Sequence, residues 1–253
     1  MVRRMRALRR CLTCSDDELL TAYWSFHPRF RFLKTVPANA AMLDVGAGTG
    51  GLAHWKSWGE PKRVDINLHG VDLRPGPEAH LYRAWESVNL DETLPSFADT
   101  VFDAFLLSHV IEHLRDPATL LRWIASRIQP GGRAYIEWPG ANAARQPGRE
   151  AFLRHGIDIV ITNFFDDSTH LRMLPREEVI AHLTAAGFTI VESGTIDHGL
   201  VGEELLACGL AGGDSFARLA GYWSLSLWAD WIVAAWPGPR RGAGPPVRHV
   251  DSA

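Results

Sequence analysis

Short, mostly apolar runs recur along the chain, and turn residues separate them from one another. Buried strands of a parallel sheet have this pattern, because helices cover both of their faces. Helical signals lie before and between the runs: residues 15–18 form a capping box ahead of the first run, and a helix that begins at Pro175 ends at Gly187. The runs predict strands at residues 42–45, 68–73, 102–107, 133–138 and 188–193. This alternation of strands and helices predicts an α/β fold.

The first run leads directly into a glycine-rich turn. Gly46, Gly48 and Gly50 allow a sharp bend and a close approach of the backbone to a ligand, and the following helix directs its first N–H groups to the same place. Gly46, Gly48 and Gly51 also fit the G-x-G-x-x-G pattern of dinucleotide-binding folds. Asp44 favours a different ligand, because its carboxylate would repel a pyrophosphate but can accept hydrogen bonds from an amino acid or from the loop.

The second run ends in an acid. Asp72 follows the glycine turn by about 20 residues, the distance at which such folds place the carboxylate that binds a ribose. Asp65 is a competitor, although the segment around it is typical of an irregular insertion. The sequence therefore predicts a nucleoside site with Asp72 as the ribose ligand.

Two further segments follow in order. Residues 102–114 predict a buried strand that leads through Ser108 and His109 into a helix, and residues 129–139 predict a Pro-Gly-Gly turn and another strand. With the glycine turn and the acidic strand end, these ordered motifs resemble the class I S-adenosylmethionine-dependent methyltransferase family over about residues 40–195. The resemblance implies a Rossmann-like methyltransferase fold, a mostly parallel seven-stranded sheet between helices, with S-adenosylmethionine as the cofactor.

The resemblance also implies the cofactor-binding residues. In this family the glycine turn and the acid before it contact the methionine and ribose, and the acid that ends the second strand binds the ribose hydroxyls. Asn89 and Leu90 would lie at the adenine, where the side-chain oxygen of Asn89 can accept a hydrogen bond from the exocyclic amine; Asp91 takes this role if the register differs. The implied set is Asp44, Gly46, Gly48, Gly50, Asp72, Asn89, Leu90, Ser108 and His109.

Two histidines are the candidate catalytic residues. An oxygen acceptor must lose a proton, and His170 is the first candidate for the base because an imidazole titrates near neutral pH. His113 is the second, either as a catalytic group or as half of a structural pair with Glu112. Asp166, Asp167 and His170 are alternatively the ligands of a divalent metal or a brace of their loop. No metal is assigned from the sequence.

Residues 109–113 also spell H-x-x-E-H, the inverted zinc-peptidase motif. Such a zinc site needs the motif on a helix and a further acidic ligand downstream. Here the motif begins at the end of an apolar strand in an α/β pattern. A peptidase function is therefore not favoured.

The chain divides into four predicted parts. Tyr23, His27 and Arg31 would reach the site from the first part, and an insertion at about residues 140–172 would set the substrate specificity of the second, since loops after parallel strands build ligand sites. The parts are an N-terminal helical cap (1–36), the methyltransferase domain (37–200), a Trp-rich helical extension (201–236) and a disordered tail (237–253).

The Trp-rich extension has aromatic residues at spacings that suit a buried or amphipathic helix. It would pack on the domain or form the face of a homodimer. A membrane-surface role is disfavoured by the shortage of Lys and Arg among these residues. The longest apolar runs also fall short of the ~18 residues that cross a bilayer.

Composition narrows the class of protein. The 253 residues are 46% hydrophobic, enough for one compact enzyme, and the net charge of −3 gives no general attraction to nucleic acid. Three cysteines, with Cys11 and Cys14 in a lone C-x-x-C and Cys208 far away, argue against a disulfide framework. A cytoplasmic enzyme without a signal peptide is expected.

The predicted function is transfer of a methyl group from S-adenosylmethionine to an oxygen, nitrogen or carbon nucleophile of a small-molecule or carrier-bound metabolite. Two alternatives remain at this stage. One is an NAD-dependent oxidoreductase that uses the same glycine loop, and the other is a non-catalytic subunit that binds the cofactor.

Overall fold

A computed structural model describes residues 21, 24–154, 161–197, 202–203 and 226–238. Several predicted features lie outside these residues: the capping box at 15–18, Tyr23, the cysteines, most of the Trp-rich segment and nearly all of the tail.

Seven strands form one sheet in the order β3-β2-β1-β4-β5-β7-β6. The first five strands are parallel to one another, and β7 runs antiparallel between β5 and β6. This confirms the predicted mostly parallel seven-stranded sheet. The strands are β1 (Ala41–Val45), β2 (Asn67–Asp72), β3 (Ala84–Ser87), β4 (Phe102–Ser108), β5 (Ile128–Pro139), β6 (Thr189–Thr195) and β7 (Ala229–Ala235).

Helices cover both faces of the sheet. Alternate residues of β1 enter opposite cores, since Leu43 packs in one apolar cluster and Met42 in the other. Burial on both faces explains why the strands have continuous apolar runs. The described helices of five or more residues are α1 (Pro28–Thr35), α2 (Leu52–Ser57), α3 (Pro117–Arg127), α4 (Arg149–Leu153) and α5 (Arg176–Ala185). Short 3-10 turns occur at Ala79–Leu81, Phe97–Asp99, Ile111–His113, Ala143–Arg145 and Phe164–Asp166.

The predicted helix at the end of the Trp-rich segment is wrong for residues 229–235, which form β7. The strand is buried on both faces, and a continuous apolar run of this kind does not distinguish a buried strand from a buried helix. Trp228 and Trp231 lie in the core, so they are not available as the homodimer face that the sequence suggested. The boundary predicted at residue 200 also fails, because the domain's own sheet includes β7.

The helix predicted directly after Ser108 is also wrong. His109 has a φ of +57°, which interrupts the chain path, and only the 3-10 turn Ile111–His113 follows. The next helix, α3, begins at Pro117, where the side chain of Asp116 accepts a hydrogen bond from Thr119 N. Within the described ranges, every helix is too short or too polar to span a lipid bilayer.

Candidate cofactor and acceptor site

The glycine loop follows β1 at the centre of the sheet. Gly46 and Ala47 donate backbone hydrogen bonds to Val71 O of the neighbouring strand, at 2.8 and 3.1 Å. Gly46 has a φ of +71°, and a Cβ at this position would lie 2.3 Å from Cγ2 of Val110. Both the backbone conformation and the close approach therefore require glycine.

The loop after β2 packs against the outer side of the glycine loop. A Cβ on Gly50 would lie 2.9 Å from the backbone of Glu78, and Glu78 N donates to Thr49 O at 3.0 Å. A Cβ on Gly76 would lie 2.1 Å from Gly48 O and 2.7 Å from the backbone of Thr49. The two loops thus hold each other in place at the carboxyl ends of β1 and β2.

Asp72 ends β2 beside this loop pair. Its Oδ2 accepts from Gly48 N at 2.8 Å, and its Oδ1 accepts from Leu73 N at 2.6 Å. A carboxylate offers about four lone-pair positions, so two remain for hydroxyl donors. Asp65 precedes β2 at the opposite end and accepts from Arg63 and from Asn39 N. Asp65 is therefore a structural brace, and its bonds to Arg63 lower its pKa to about 2.

Asp44 lies beneath the glycine loop and is only 5% exposed. Its Oδ2 accepts a hydrogen bond from the Tyr82 hydroxyl at 2.7 Å. Burial raises the pKa of Asp44 to about 7, although the Tyr82 bond and the charge of Arg29 oppose the rise. Asp44 is therefore a carboxyl group that loses its proton readily when a cation arrives.

A cavity of about 820 Å³ opens between the glycine loop, α2 and the segment before α1. Four predicted residues line it: Asp44, Gly46, Gly48 and Ser108. The larger side chains around it are Trp24, Arg29, Leu52, His54, Trp55 and Trp58. Sequence reasoning missed Trp24, Arg29 and Trp55. Gly50, Asp72, Asn89, Leu90 and His109 are outside its lining, although Asp72 is bonded to Gly48.

The predicted adenine segment follows β3 and lies next to Asp72, because Val88 N donates to Asp72 O at 2.9 Å. The side-chain oxygen of Asn89 accepts from Asp91 N at 3.1 Å and so stabilises a turn. Leu90 packs against the main apolar cluster. Asp91 accepts a hydrogen bond from Arg115 N, so its carboxylate holds the loop before α3. Both polar side chains thus have structural partners in this segment.

Charged side chains form a network around the buried Glu137, at the ends of β4 and β5. Glu137, 1% exposed, accepts from Arg29, from His109 Nε2 at 3.1 Å and from the Tyr135 hydroxyl at 2.5 Å. Burial would raise the pKa of Glu137, but the charges of Arg29 and His109 hold it well below its usual range. His109 Nδ1 also lies 3.3 Å from Glu112 Oε1. Burial lowers the pKa of His109, and the bonds to both carboxylates outweigh it and raise this pKa to about 9.

The segment around α1 reaches the cavity through Arg29, and not through the predicted His27 or Arg31. Arg31 lies away from the cavity, 3.7 Å from Glu192 at the surface. His27 is buried and caps α1 by accepting from Arg29 N. Arg29 lines the cavity and pairs with Glu137. No local signal in the sequence distinguishes Arg29 from Arg31, because the partner of each is more than 100 positions away.

The two candidate catalytic histidines lie together. The ring centroids of His113 and His170 are 4.7 Å apart, and one ligand atom from each lies within 4.8 Å of a carboxylate oxygen of Glu112. Asp166 instead accepts from the backbone N–H groups of three residues, Arg149, Thr162 and Asn163, so it braces its loop. Asp167 accepts from Thr169.

The sequence matches a known protein family and several curated proteins. The family model of the Methyltransferase domain matches residues 21–193, which is more than half of the chain. The Ubiquinone biosynthesis O-methyltransferase of Xanthomonas axonopodis pv. citri is 30% identical over 130 residues, 47% of this chain and 52% of that protein. The chain thus spans about half the length of the curated relatives it matches.

Solved structures share the fold at lower identity. An S-adenosylmethionine-dependent methyltransferase from Archaeoglobus fulgidus aligns with a TM-score of 0.52 at 21% identity, over 87% of this chain and 94% of that one. Phospholethanolamine N-methyltransferase 2 of Haemonchus contortus, in complex with phosphomonomethylethanolamine and S-adenosylhomocysteine, aligns with a TM-score of 0.55 at 19% identity, over 88% and 58%.

Proposed function

Because the chain belongs to the methyltransferase-domain family of class I S-adenosylmethionine-dependent enzymes, we propose that it transfers a methyl group from S-adenosylmethionine to a nucleophile on a small-molecule or carrier-bound acceptor. One observation carries this proposal: Gly46 brings bare backbone to a cavity wall directly above the buried carboxyl of Asp44. That arrangement suits a ligand with an amino group and leaves a pyrophosphate facing a carboxylate.

The side chains around the cavity fit S-adenosylmethionine group by group. Asp44 would accept from the ammonium of the methionine, and Arg29 would face its carboxylate. Asp72 has lone pairs left for both ribose hydroxyls. The adenine would lie beside Asn89 and Leu90, after β3. Gly46 packs its bare backbone against Val110 with a positive φ, so the loop keeps this path along the cavity only with glycine.

When bound, S-adenosylmethionine supplies an electrophilic methyl carbon on a sulfonium whose leaving thioether is neutral. The chain's own contribution is then mainly to align the acceptor and exclude water, and alignment contributes up to several kcal/mol. Trp24 and Trp55 form an apolar wall of the cavity. An oxygen acceptor must also lose a proton, and His170 and His113 are the proposed groups, acting directly as bases or as the ligands considered below.

Calorimetric titration with S-adenosylmethionine, S-adenosylhomocysteine and NAD tests the proposal. We expect micromolar binding of the two sulfur nucleosides and none of NAD. Asp72→Ala should abolish this binding. The matched control is Asp65→Ala, which removes an acid from the amino end of the same strand and should leave the affinity unchanged.

Either a preference for NAD or equal affinity in Asp72→Ala would contradict the proposal. Binding without methyl transfer to any of a panel of phenol, amine and carbon acceptors would favour the non-catalytic subunit instead. The cytoplasmic location and the acceptor itself stay predictions.

A further inference from the structure

We propose that Glu112, His113 and His170 bind a divalent transition-metal ion. These three residues come from two segments, the 3-10 turn after β4 and the stretch after Phe164–Asp166. Leu171 N donates to Glu112 O at 2.9 Å and holds the segments together. The three side chains offer one ligand atom each, and these atoms lie within 4.8 Å of one another.

The hydrogen bonds of His170 identify its free nitrogen. His170 Nδ1 lies 2.6 Å from Phe164 O. A carbonyl oxygen can only accept, so Nδ1 carries the proton and Nε2 keeps its lone pair in the neutral ring. Metal-binding histidines usually have such a partner on the second nitrogen, because it sets the tautomer and the orientation of the ring. Asp167 Oδ2 lies 3.9 Å from His170 Nε2 and adds negative charge near the site.

His113 is oriented in the same way through a hydroxyl. His113 Nδ1 lies 2.9 Å from Thr169 Oγ1, and that hydroxyl donates its one proton to Asp167 Oδ1 at 2.6 Å. Thr169 therefore accepts from Nδ1–H of His113. This leaves the Nε2 lone pair of His113 available as well. Two imidazoles with the same tautomer thus lie side by side, one held by the Phe164 carbonyl and the other by the Thr169 hydroxyl.

Glu112 supplies the negative ligand. It is 1% exposed, and its Oε1 is engaged by His109. Its Oε2 has no hydrogen-bond partner among the described residues, although it is buried. An unpartnered carboxylate oxygen in the interior costs free energy, and a bound cation is the partner that would compensate for it.

The arrangement is different from the peptidase motif that residues 109–113 spell. His109 directs its two nitrogens to Glu137 and Glu112, so it orients Glu112 and is not a ligand. His170 takes the third place. Two imidazoles and one carboxylate favour Zn²⁺ or a similar first-row ion over Mg²⁺, which prefers oxygen ligands.

Three protein ligands leave coordination positions open for another molecule. The role of the ion in catalysis rests on the proposed function: an acceptor oxygen bound at an open position would have a lowered pKa, as metal-bound water does. The site is thus suited to a hydroxyl-bearing acceptor. Metal binding itself does not depend on the methyl-transfer proposal.

The test is calorimetric titration of chelator-treated, full-length protein with ZnCl₂ and, separately, MgCl₂. We expect one Zn²⁺ per chain and much weaker Mg²⁺ binding. His113→Ala and His170→Ala should weaken Zn²⁺ binding by at least about 100-fold, and Thr169→Val, which keeps all three ligands, by about 10-fold. The control His182→Ala breaks a surface contact with Glu178 and should have no effect.

Zn²⁺ affinity that is unchanged in both histidine variants, or no Zn²⁺ binding by the wild type, would overturn the proposal. Thermal melts check that each variant is folded, and Thr169→Val keeps the test decisive if a histidine variant is not. S-adenosylhomocysteine is titrated into the same samples. Zn²⁺ binding without nucleoside binding would refute the proposed function alone, and the reverse result would refute the metal site alone.

Discussion

The two walls of the candidate site are built by different physical means. On the β1–β2 side, backbone conformation does most of the work: Gly46, Gly48 and Gly50 all have positive φ, and the loops hold each other through backbone hydrogen bonds. On the β4–β5 side, charged side chains build the wall, with Arg29 and His109 both bonded to the buried Glu137.

This difference explains which of the two walls can be recognised in a sequence. A left-handed backbone conformation favours glycine at that very position, so the first wall leaves a local pattern. An ion pair depends on two distant residues, and the sequence does not say which pairs form. The two walls should also respond differently to mutation, the first in ligand binding and the second in stability.

The largest expected effect is on the charged side. Glu137→Gln should lower the free energy of unfolding by about 3–5 kcal/mol, because it removes the buried negative charge that Arg29 and His109 share. The control Glu192→Gln removes the exposed partner of Arg31 and should cost less than about 1 kcal/mol. Urea denaturation measures both. Similar losses of stability in the two variants would mean that the charge network around Glu137 stabilises the fold no more than an exposed ion pair does.

A smaller stability effect but a direct loss of binding is expected on the glycine side. Gly46→Ala combines a left-handed alanine with a clash against Val110, which together should cost about 2–4 kcal/mol. The control Gly131→Ala has a similar φ of +83° but open space around it, and should cost about 1–2 kcal/mol.

The two glycine variants separate strain from site geometry. S-adenosylhomocysteine affinity should fall at least about tenfold in Gly46→Ala, a loss of about 1.4 kcal/mol, and stay unchanged in Gly131→Ala. Calorimetric titration at one pH measures both variants. If Gly131→Ala loses affinity to the same extent, general destabilisation and not the loop geometry would explain the result.

The smallest expected effect is a proton released on binding. The pKa of Asp44 is raised to about 7, and a neighbouring ammonium lowers the pKa of a carboxyl group. Binding of S-adenosylhomocysteine at pH 7 should therefore release about half a proton, and affinity should rise with pH until about pH 7 and then level off. Titrations in buffers of different ionisation enthalpy measure this release.

Asp44→Asn provides the control for proton release, because its amide does not titrate. Release should disappear in this variant, and its affinity should be independent of pH near neutrality. Proton uptake by the wild type, or release that persists in Asp44→Asn, would place the ligand's amino group away from Asp44.

Much of the fold follows from local patterns. The strands β1, β2, β4 and β5, the end of α5 near Gly187 and the strand after it are predicted, because burial on both faces and glycine turns mark them locally, whereas the half-exposed β3 has no apolar run and was missed. The C-terminal element is not, because Ala229–Ala235 is apolar throughout and its strand state depends on insertion between β5 and β6.

The same division applies to the site. Asp44, Gly46 and Gly48 line the cavity, and a local pattern identifies them because they are adjacent in the sequence. Arg29 and Tyr82 were missed, because each acts through a partner that only folding brings near. His113 and His170 were predicted separately. His113 follows Glu112 in the sequence, but His170 comes close to both only through the path of the chain after β5.

A crystal structure of the protein with S-adenosylhomocysteine would locate the cofactor site. We expect the amino group about 3 Å from Asp44, the ribose hydroxyls in contact with Asp72 and the ligand against Gly46 and Gly48. A ligand bound elsewhere, or one at this loop whose ribose lies away from Asp72, would contradict the assignment of the cofactor site.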